Sequence, residues 1–345
     1  MNRPEDEVLR AVTVDIAQGN ARGIASIYNS AVAAWAIAAA WEIGALDELH
    51  RARTLDTADF AERNDLDPQS TTGLFRALSA VGLVHRDGAV VHTLDAYDDM
   101  YRNKSFFHWL TRGSAELFRQ IPSVLRTENR TGEDRLRDPA AIAYACREID
   151  QVTYAPTFWA AVDRVDLPFT RVADLGCGSG ARLMQVLDRH PGTTGVGVDI
   201  AQPSIDVARK EAAEAGFAGR ADFVQGDVLS LEPRPEYADI ELLTCFMMGH
   251  DFWHGGRENC VATLRRLREV FPAAKRLLIG DATRTALPDT ELPVFTLGFE
   301  LGHDLMGTFL PTIDDWESVF EEGGWKLVRT NRIEMTVGEV IFELA

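Results

Sequence analysis

The sequence predicts an α/β protein: a doubly wound parallel sheet in the C-terminal half, behind a helical N-terminal domain that contains a winged-helix unit. Three observations predict it. From Arg171 to the C-terminus, apolar runs of strand length alternate with segments of helical periodicity, the pattern of βαβ units. A glycine triple in Asp174-Leu-Gly-Cys-Gly-Ser-Gly180 joins the first of those runs to a helix. Before residue 100 the order is helix, helix, hairpin. The expected division is 1–100 for the winged-helix dimerisation domain, 101–165 for a helical linker contributing to a substrate cavity, and 166–345 for the sheet domain.

Residues from about 8 to 50 read as helices, and the stretch from Ile24 to Leu49 carries Ala, Ile and Trp on nearly every face. A helix that is apolar all round has to be buried, and a second copy of the chain is the expected cover. Its Ala-rich run, Ser30 to Ala40, is shorter than the ~20 residues of a membrane span, so no membrane partner is expected. Asp56 or Thr57 caps a short helix containing Phe60 and Ala61, and Asp67-Pro68 starts a second with Leu74, Leu78 and Val81 on one face. Val84 to His92 then reads as two strands around an Asp87-Gly88 turn. A winged helix raises the question of DNA, but the second helix offers Gln69, Ser70, Thr71 and Thr72 with one basic residue, Arg76. Dimerisation is the better reading. Residues from about 100 to 165 are helical and rich in aromatics, mostly core, with some available to wall a ligand cavity.

In the C-terminal half, strands are expected at 171–175, 194–200, 221–225, 239–246 and 276–280, with helices at 181–190, 204–215 and 258–270 between them. Residues 325–330 and 337–344 close the chain as an antiparallel pair.

The formal net charge of −18 over 345 residues repels phosphate, which argues against nucleic acid or an anionic membrane as partner. Cys146, Cys177, Cys245 and Cys260 form no CxxC pair and read as reduced thiols, and MNRPEDEVLR has no apolar leader core. A cytoplasmic location is the expectation.

The chemistry starts at the glycine triple. Asp174 ends an apolar strand, and Gly176, Gly178 and Gly180 permit a tight turn and close approach of backbone to a ligand. Asp199 and Ile200 end the next strand, where an acid can accept both hydroxyls of a ribose, and Asp227 with Val228 follows where a carboxylate can receive an adenine amino group. NAD is the competing cofactor, but it favours GxGxxG, whereas this chain has GxGxG directly after an acid. The order DLGCGSG, VD, GD resembles the S-adenosylmethionine methyltransferases, which implies a Rossmann-like S-adenosylmethionine methyltransferase domain.

Cys245-Phe-Met-Met-Gly-His-Asp-Phe-Trp253 follows the fourth strand, so His250 and Asp251 are expected beyond its carboxyl end, where such folds bind ligands. The layout is similar to small-molecule O-methyltransferases, whose His-Asp-Trp motif supplies a general base toward a phenol; here the match is partial, His-Asp-Phe-Trp. A closer resemblance lies in FHWL, ENRTG, YACREI, FWAAVD, LLTCFMMGHDFW, GDATRT and ELPVFTLGFELGHD, which together are similar to the metal-dependent α-keto acid C-methyltransferases. That resemblance implies that His250 and His303 hold a non-haem iron or another metal, and that Asp251 is the acid beside the first histidine. It further implies that Arg137 meets the substrate carboxylate, that Trp109 lines the substrate cavity, and that Phe246 and Met247 fall near the cofactor's sulfonium end. The partner is then a small 2-oxo acid, of which phenylpyruvate is the leading member, and the chain is a homodimer. The base that removes the C3 proton stays open between a metal-bound water, His250 and Asp251. Two other readings stand beside it: an O-methyltransferase with His250 as base, and a transcription regulator with a vestigial catalytic domain.

Overall fold

The computed structural model describes residues 21–130, 136–165, 168–285, 296–333 and 338–345. The expected helix over residues 8–20, part of the ENRTG segment and all of ELPVF lie outside them. The chain divides into two compact units, 1–120 with 134–149, and 121–133 with 150–345. The helical stretch expected at 101–165 is therefore shared between the units and is not a separate piece.

In the first unit, α1 (Ala21–Glu42) and α2 (Ala45–Ala52) lead into β1 (Thr54–Asp56), α3 (Thr57–Arg63), α4 (Pro68–Ala80), β2 (Val84–Asp87) and β3 (Val90–Thr93). Asp56 caps α3 by accepting from the amides of Ala58 and Asp59, and Asp67 caps α4 from Ser70, as the sequence suggests. The hairpin forms where expected and gains a third strand, in the order β1-β3-β2. The buried face of α4 is Thr71, Phe75 and Leu78, which differs from the expected Leu74, Leu78 and Val81: the larger aromatic Phe75 sets the phase by packing edge-to-face on Phe60. Then come α5 (Tyr97–Arg102), α6 (Lys104–His108), a π-helical turn at Trp109–Gly113, α7 (Ala115–Arg119) and α8 (Pro139–Ile149).

Within one chain, helix α1 is buried on one face only. Ala33, Ala36, Ile37, Ala40 and Trp41 bury at helical spacing against the unit's own core. Ile24, Ile27, Tyr28, Val32 and Trp35 on the other face stand exposed, Tyr28 at 72% and Trp35 at 52%. The apolar helix is also longer than expected: Gly23–Glu42, at 20 residues and mean hydropathy 1.4, is long and apolar enough to cross a membrane by length and composition. Its packing onto α4 and α6 makes it a structural helix of this unit.

The second unit continues with α9 (Ala155–Asp163), β4 (Arg171–Leu175), α10 (Ala181–Arg189), β5 (Thr194–Asp199), α11 (Gln202–Glu214), β6 (Ala221–Gln225), β7 (Leu242–Phe246), α12 (Arg257–Val270), β8 (Arg276–Ala282), α13 (Thr296–Met306), α14 (Ile313–Phe320), β9 (Leu327–Arg332) and β10 (Glu339–Leu344). The sheet order is β6-β5-β4-β7-β8-β10-β9, parallel from β6 to β8, with β10 antiparallel to both β8 and β9. Strands β4, β7 and β10 are buried along nearly their whole length, as expected for a sheet covered by helices on both faces. The strand order reverses between β4 and β7, and ligands in such sheets bind at that switch point, outside the carboxyl ends. The four cysteines form no disulfide.

Candidate active site

The glycine loop is built on the first carboxyl end at the switch point. The amides of Gly176 and Cys177 both donate to the Val198 carbonyl, at 2.8 and 3.0 Å, which staples the loop to β5. Gly176 and Gly180 have φ of +71° and +76°, and a Cβ on either would strike Met248 at 2.7 Å or the Phe223 ring at 2.4 Å. No side chain larger than hydrogen fits there.

The three predicted acids stand at the loop and the two neighbouring strand ends. Asp174 is buried and accepts from the Thr244 hydroxyl at 2.6 Å. Burial raises its carboxyl to about 6, with Arg182 nearby opposing the shift. Asp199 accepts from the amides of Gly178 and Ala201, both at 2.9 Å, so it fixes the loop it shares the crevice with. Asp227 accepts from the Leu229 amide and the Ser230 hydroxyl. Each carboxylate has further lone pairs for a ligand. Ile200 is 67% exposed at the rim, whereas the side chain of Val228 is in the core and the ring of Phe246 lies beneath the Arg182 guanidinium at 3.6 Å.

A second cluster follows β7. His250 sits on a 3-10 turn, Gly249–Trp253, beside the end of β8. Its amide donates to Asp281 at 2.5 Å and its Nδ1 lies 2.9 Å from the other oxygen of the same carboxylate. Asp281 is fully buried, and Gly249 lets the turn approach it: a Cβ there would stand 2.9 Å from its Oδ2. His303 is buried on α13, with Nδ1 2.8 Å from the Phe299 carbonyl oxygen. That helix is held at the end of β8 by Arg284, which pairs with Glu300 and Asp304, and by the Thr285 amide on Glu300.

The two imidazoles, 53 positions apart in sequence, meet with ring centroids 5.3 Å apart and planes at 84°. A carbonyl only accepts, so Nδ1 of His303 donates, and neutral His303 keeps its lone pair on Nε2; the carboxylate imposes the same tautomer on His250. A nitrogen held by an acid or carbonyl behind, with the other turned outward, is how metal-binding histidines are oriented. At metal–nitrogen distances of ~2.0–2.1 Å, two imidazole centroids around one ion stand about 4.5–5.5 Å apart. The spacing of the two rings is one that a shared cation would allow, and also that of an edge-to-face ring contact. Asp251 stands beside them, its oxygen 4.0 Å from His250 Nε2 and its side chain 52% exposed. Among the described residues no group of three or more His, Cys, Asp or Glu is placed to hold a metal. A cavity of about 550 Å³ opens beside His250 and Asp251, with Trp253, His254 and Phe309 in its wall.

In the first unit, the Arg137 guanidinium lies 5.4 Å from the Trp109 ring centre, so the two residues assigned to substrate are neighbours. Sequence reasoning missed Asp281. The signal was present: an acid directly after the apolar run Leu277-Leu-Ile-Gly280, at a strand end facing the crevice.

A doubly wound sheet with a glycine loop and three acids at its switch point defines a nucleotide-cofactor enzyme. Residues 172–270 match the family model described as a methyltransferase domain. The chain is 50% identical over 330 residues to methyltransferase ungE' of Aspergillus campestris, covering 93% of this chain and 96% of that one. It is 28% identical over 310 residues to the indolepyruvate C-methyltransferase of Streptomyces griseus, covering 88% of each. Its fold is that of the mitomycin 7-O-methyltransferase, with a TM-score of 0.70 at 20% identity over 96% of this chain and 99% of that one. The chain belongs to the S-adenosylmethionine-dependent methyltransferase family.

Proposed function

We propose that the enzyme methylates C3 of an aromatic 2-oxo acid such as phenylpyruvate in a metal-dependent reaction, supplying a β-methyl amino acid precursor for natural-product biosynthesis. The observation that carries this reading is the convergence of His250 and His303, each oriented through Nδ1. The similarity to an indolepyruvate C-methyltransferase supports the substrate class.

His250 and His303 would hold the cation through Nε2. When bound, it supplies Lewis acidity toward a keto oxygen and carboxylate, which acidifies the neighbouring C–H. The chain's own residues do the rest. Asp281 and the Phe299 carbonyl hold the imidazoles in the ligating tautomer. Arg137 is assigned the substrate carboxylate, where a guanidinium forms two parallel hydrogen bonds, and Trp109 the aromatic ring. The glycine loop with Asp174, Asp199 and Asp227 holds the cofactor. The C3 proton would pass to Asp251, His250 or a water, the resulting enolate carbon would form its bond to the sulfonium methyl as the C–S bond breaks, and S-adenosylhomocysteine would leave.

A second reading rests on the His250–Asp281 pair, which has the form of a general base and its orienting acid. It makes the enzyme an O-methyltransferase on a phenol and gives His303 no role. Methylation with carbon-13-labelled S-adenosylmethionine separates the two: phenylpyruvate should yield a methyl on carbon, and labelled methyl found only on oxygen would reject C3 methylation.

The exposed stripe of Ile24, Ile27, Tyr28, Val32 and Trp35 supports a homodimer, with a second copy covering the face that the first unit leaves bare.

A further inference from the structure

Met247 directly follows β7 at the switch point, next to the glycine loop. Two features set it apart. Its φ of +56° is left-handed, a conformation shared among the described non-glycine residues only with Arg53 and Asp65. A residue with a Cβ pays for that conformation, and such strain persists only where neighbours impose it. Its amide donates to the Gly280 carbonyl at 2.8 Å, which fixes the backbone. The side chain is fixed separately: the Tyr154 hydroxyl lies 2.9 Å from its Sδ and donates to it.

Tyr154 is fully buried, and its ring packs edge-on against Phe246, at 5.8 Å between centroids. A buried phenol ordinarily finds a strong oxygen acceptor. This one is directed at a thioether, a weak acceptor that adjusts its shape readily unless held. The next residue, Met248, lies against Gly176, the first glycine of the cofactor loop. The two methionines are thus divided: one packs on the loop, the other is tied to α9's N-terminal edge by Tyr154. Both remain half-buried.

We propose that Tyr154 is a positioning residue for methyl transfer. Its hydroxyl pins the Met247 thioether, and with it the left-handed turn after β7, in the conformation that shapes the crevice around the methyl-bearing end of S-adenosylmethionine. This goes beyond the choice of acceptor, since the anchor acts on the donor side. The adenosine end is held elsewhere, by the loop and the acids, so the anchor governs the rate of transfer and leaves the grip on the cofactor alone.

The test is a double-mutant cycle of Tyr154→Phe, Met247→Leu and the pair, assayed on whichever 2-oxo acid or phenol the unaltered enzyme methylates fastest. A neutral hydrogen bond of this kind is worth about three- to tenfold in kcat when it acts on the reacting geometry. Each single variant should lose that much in kcat, with the KM for S-adenosylmethionine and the affinity for S-adenosylhomocysteine within about twofold of the unaltered enzyme. The pair should be no worse than the more impaired single variant. Losses that multiply in the pair would overturn the proposal, as would an unchanged kcat in Tyr154→Phe. Met247→Leu leaves the buried ring in place, so an unchanged kcat there overturns it equally, even if Tyr154→Phe folds poorly.

Discussion

Replacing Asp281 by Asn changes one atom in a fully buried group, and the structure gives the size of the consequence. The carboxylate accepts from the His250 amide, from His250 Nδ1 and from the Ala282 amide. An Asn side chain has one acceptor oxygen for these three donors, and its amide nitrogen brings hydrogens against N–H groups. One charge-assisted bond of about 1.5–3 kcal/mol goes, and one buried donor is left unmet at a further cost of about 1–3 kcal/mol. Where the Asn nitrogen faces Nδ1, His250 turns or its proton moves to Nε2, and both outcomes remove the Nε2 lone pair; where the Asn oxygen keeps that place, only the bond from the His250 amide is lost. The expected loss in turnover is about 10²–10³-fold, with a fall of about 10–100-fold in metal affinity. Affinity for S-adenosylmethionine should stay within about twofold, because Asp281 makes no bond to the glycine loop. Steady-state methylation, titration calorimetry with S-adenosylmethionine and metal analysis of the dialysed protein together read all three. Turnover within threefold of the unaltered enzyme would refute the reasoning that Asp281 sets the imidazole.

Three further outcomes are expected. Asp174 is neutral below about 6 because burial disfavours its charge, and a cationic cofactor prefers the carboxylate; affinity for S-adenosylmethionine should therefore rise with pH through that value, about tenfold between pH 5 and 7.5. Calorimetry at several pH values reads this, and Asp174→Asn should flatten the profile. Arg137→Lys removes the paired hydrogen bonds to a carboxylate, so the KM for the keto acid should rise about 10–100-fold with a smaller change in kcat; an unchanged KM would free Arg137 of that role. Trp35→Asp with Ile27→Asp puts charge on the exposed stripe of α1, and light scattering should then find half the mass seen for the unaltered protein; equal masses would mean that this stripe is not the dimer face.

The sheet was legible because its signals are local. Glycines at 176, 178 and 180, with acids at 174, 199 and 227, fall on strand ends whatever the packing, and the strands at 171–175 and 221–225 lie where periodicity puts them. What the sequence hid depends on tertiary contact. Strand β1, Thr54-Leu-Asp56, is too short to show alternation and exists because β3 pairs with it. The phase of α4 turned on Phe75 finding Phe60, a contact across two helices. Asp281 reads as the polar end of an apolar run, and only the fold shows that it is buried behind His250. The division of the helical stretch after residue 100 between the two units follows from packing that periodicity does not encode. His303 was found through resemblance, since nothing in a helix reading TLGFELGHDLM marks one histidine as facing another.

The most direct measurement is metal content and activity in His303→Ala beside the unaltered enzyme, both dialysed and reloaded with ferrous iron, with phenylpyruvate as acceptor. If His250 and His303 share a cation, the unaltered protein binds close to one equivalent per chain and methylates carbon, while the variant retains neither the metal nor the reaction, yet still binds S-adenosylmethionine. A variant that methylates phenylpyruvate at the unaltered rate without bound metal would contradict it.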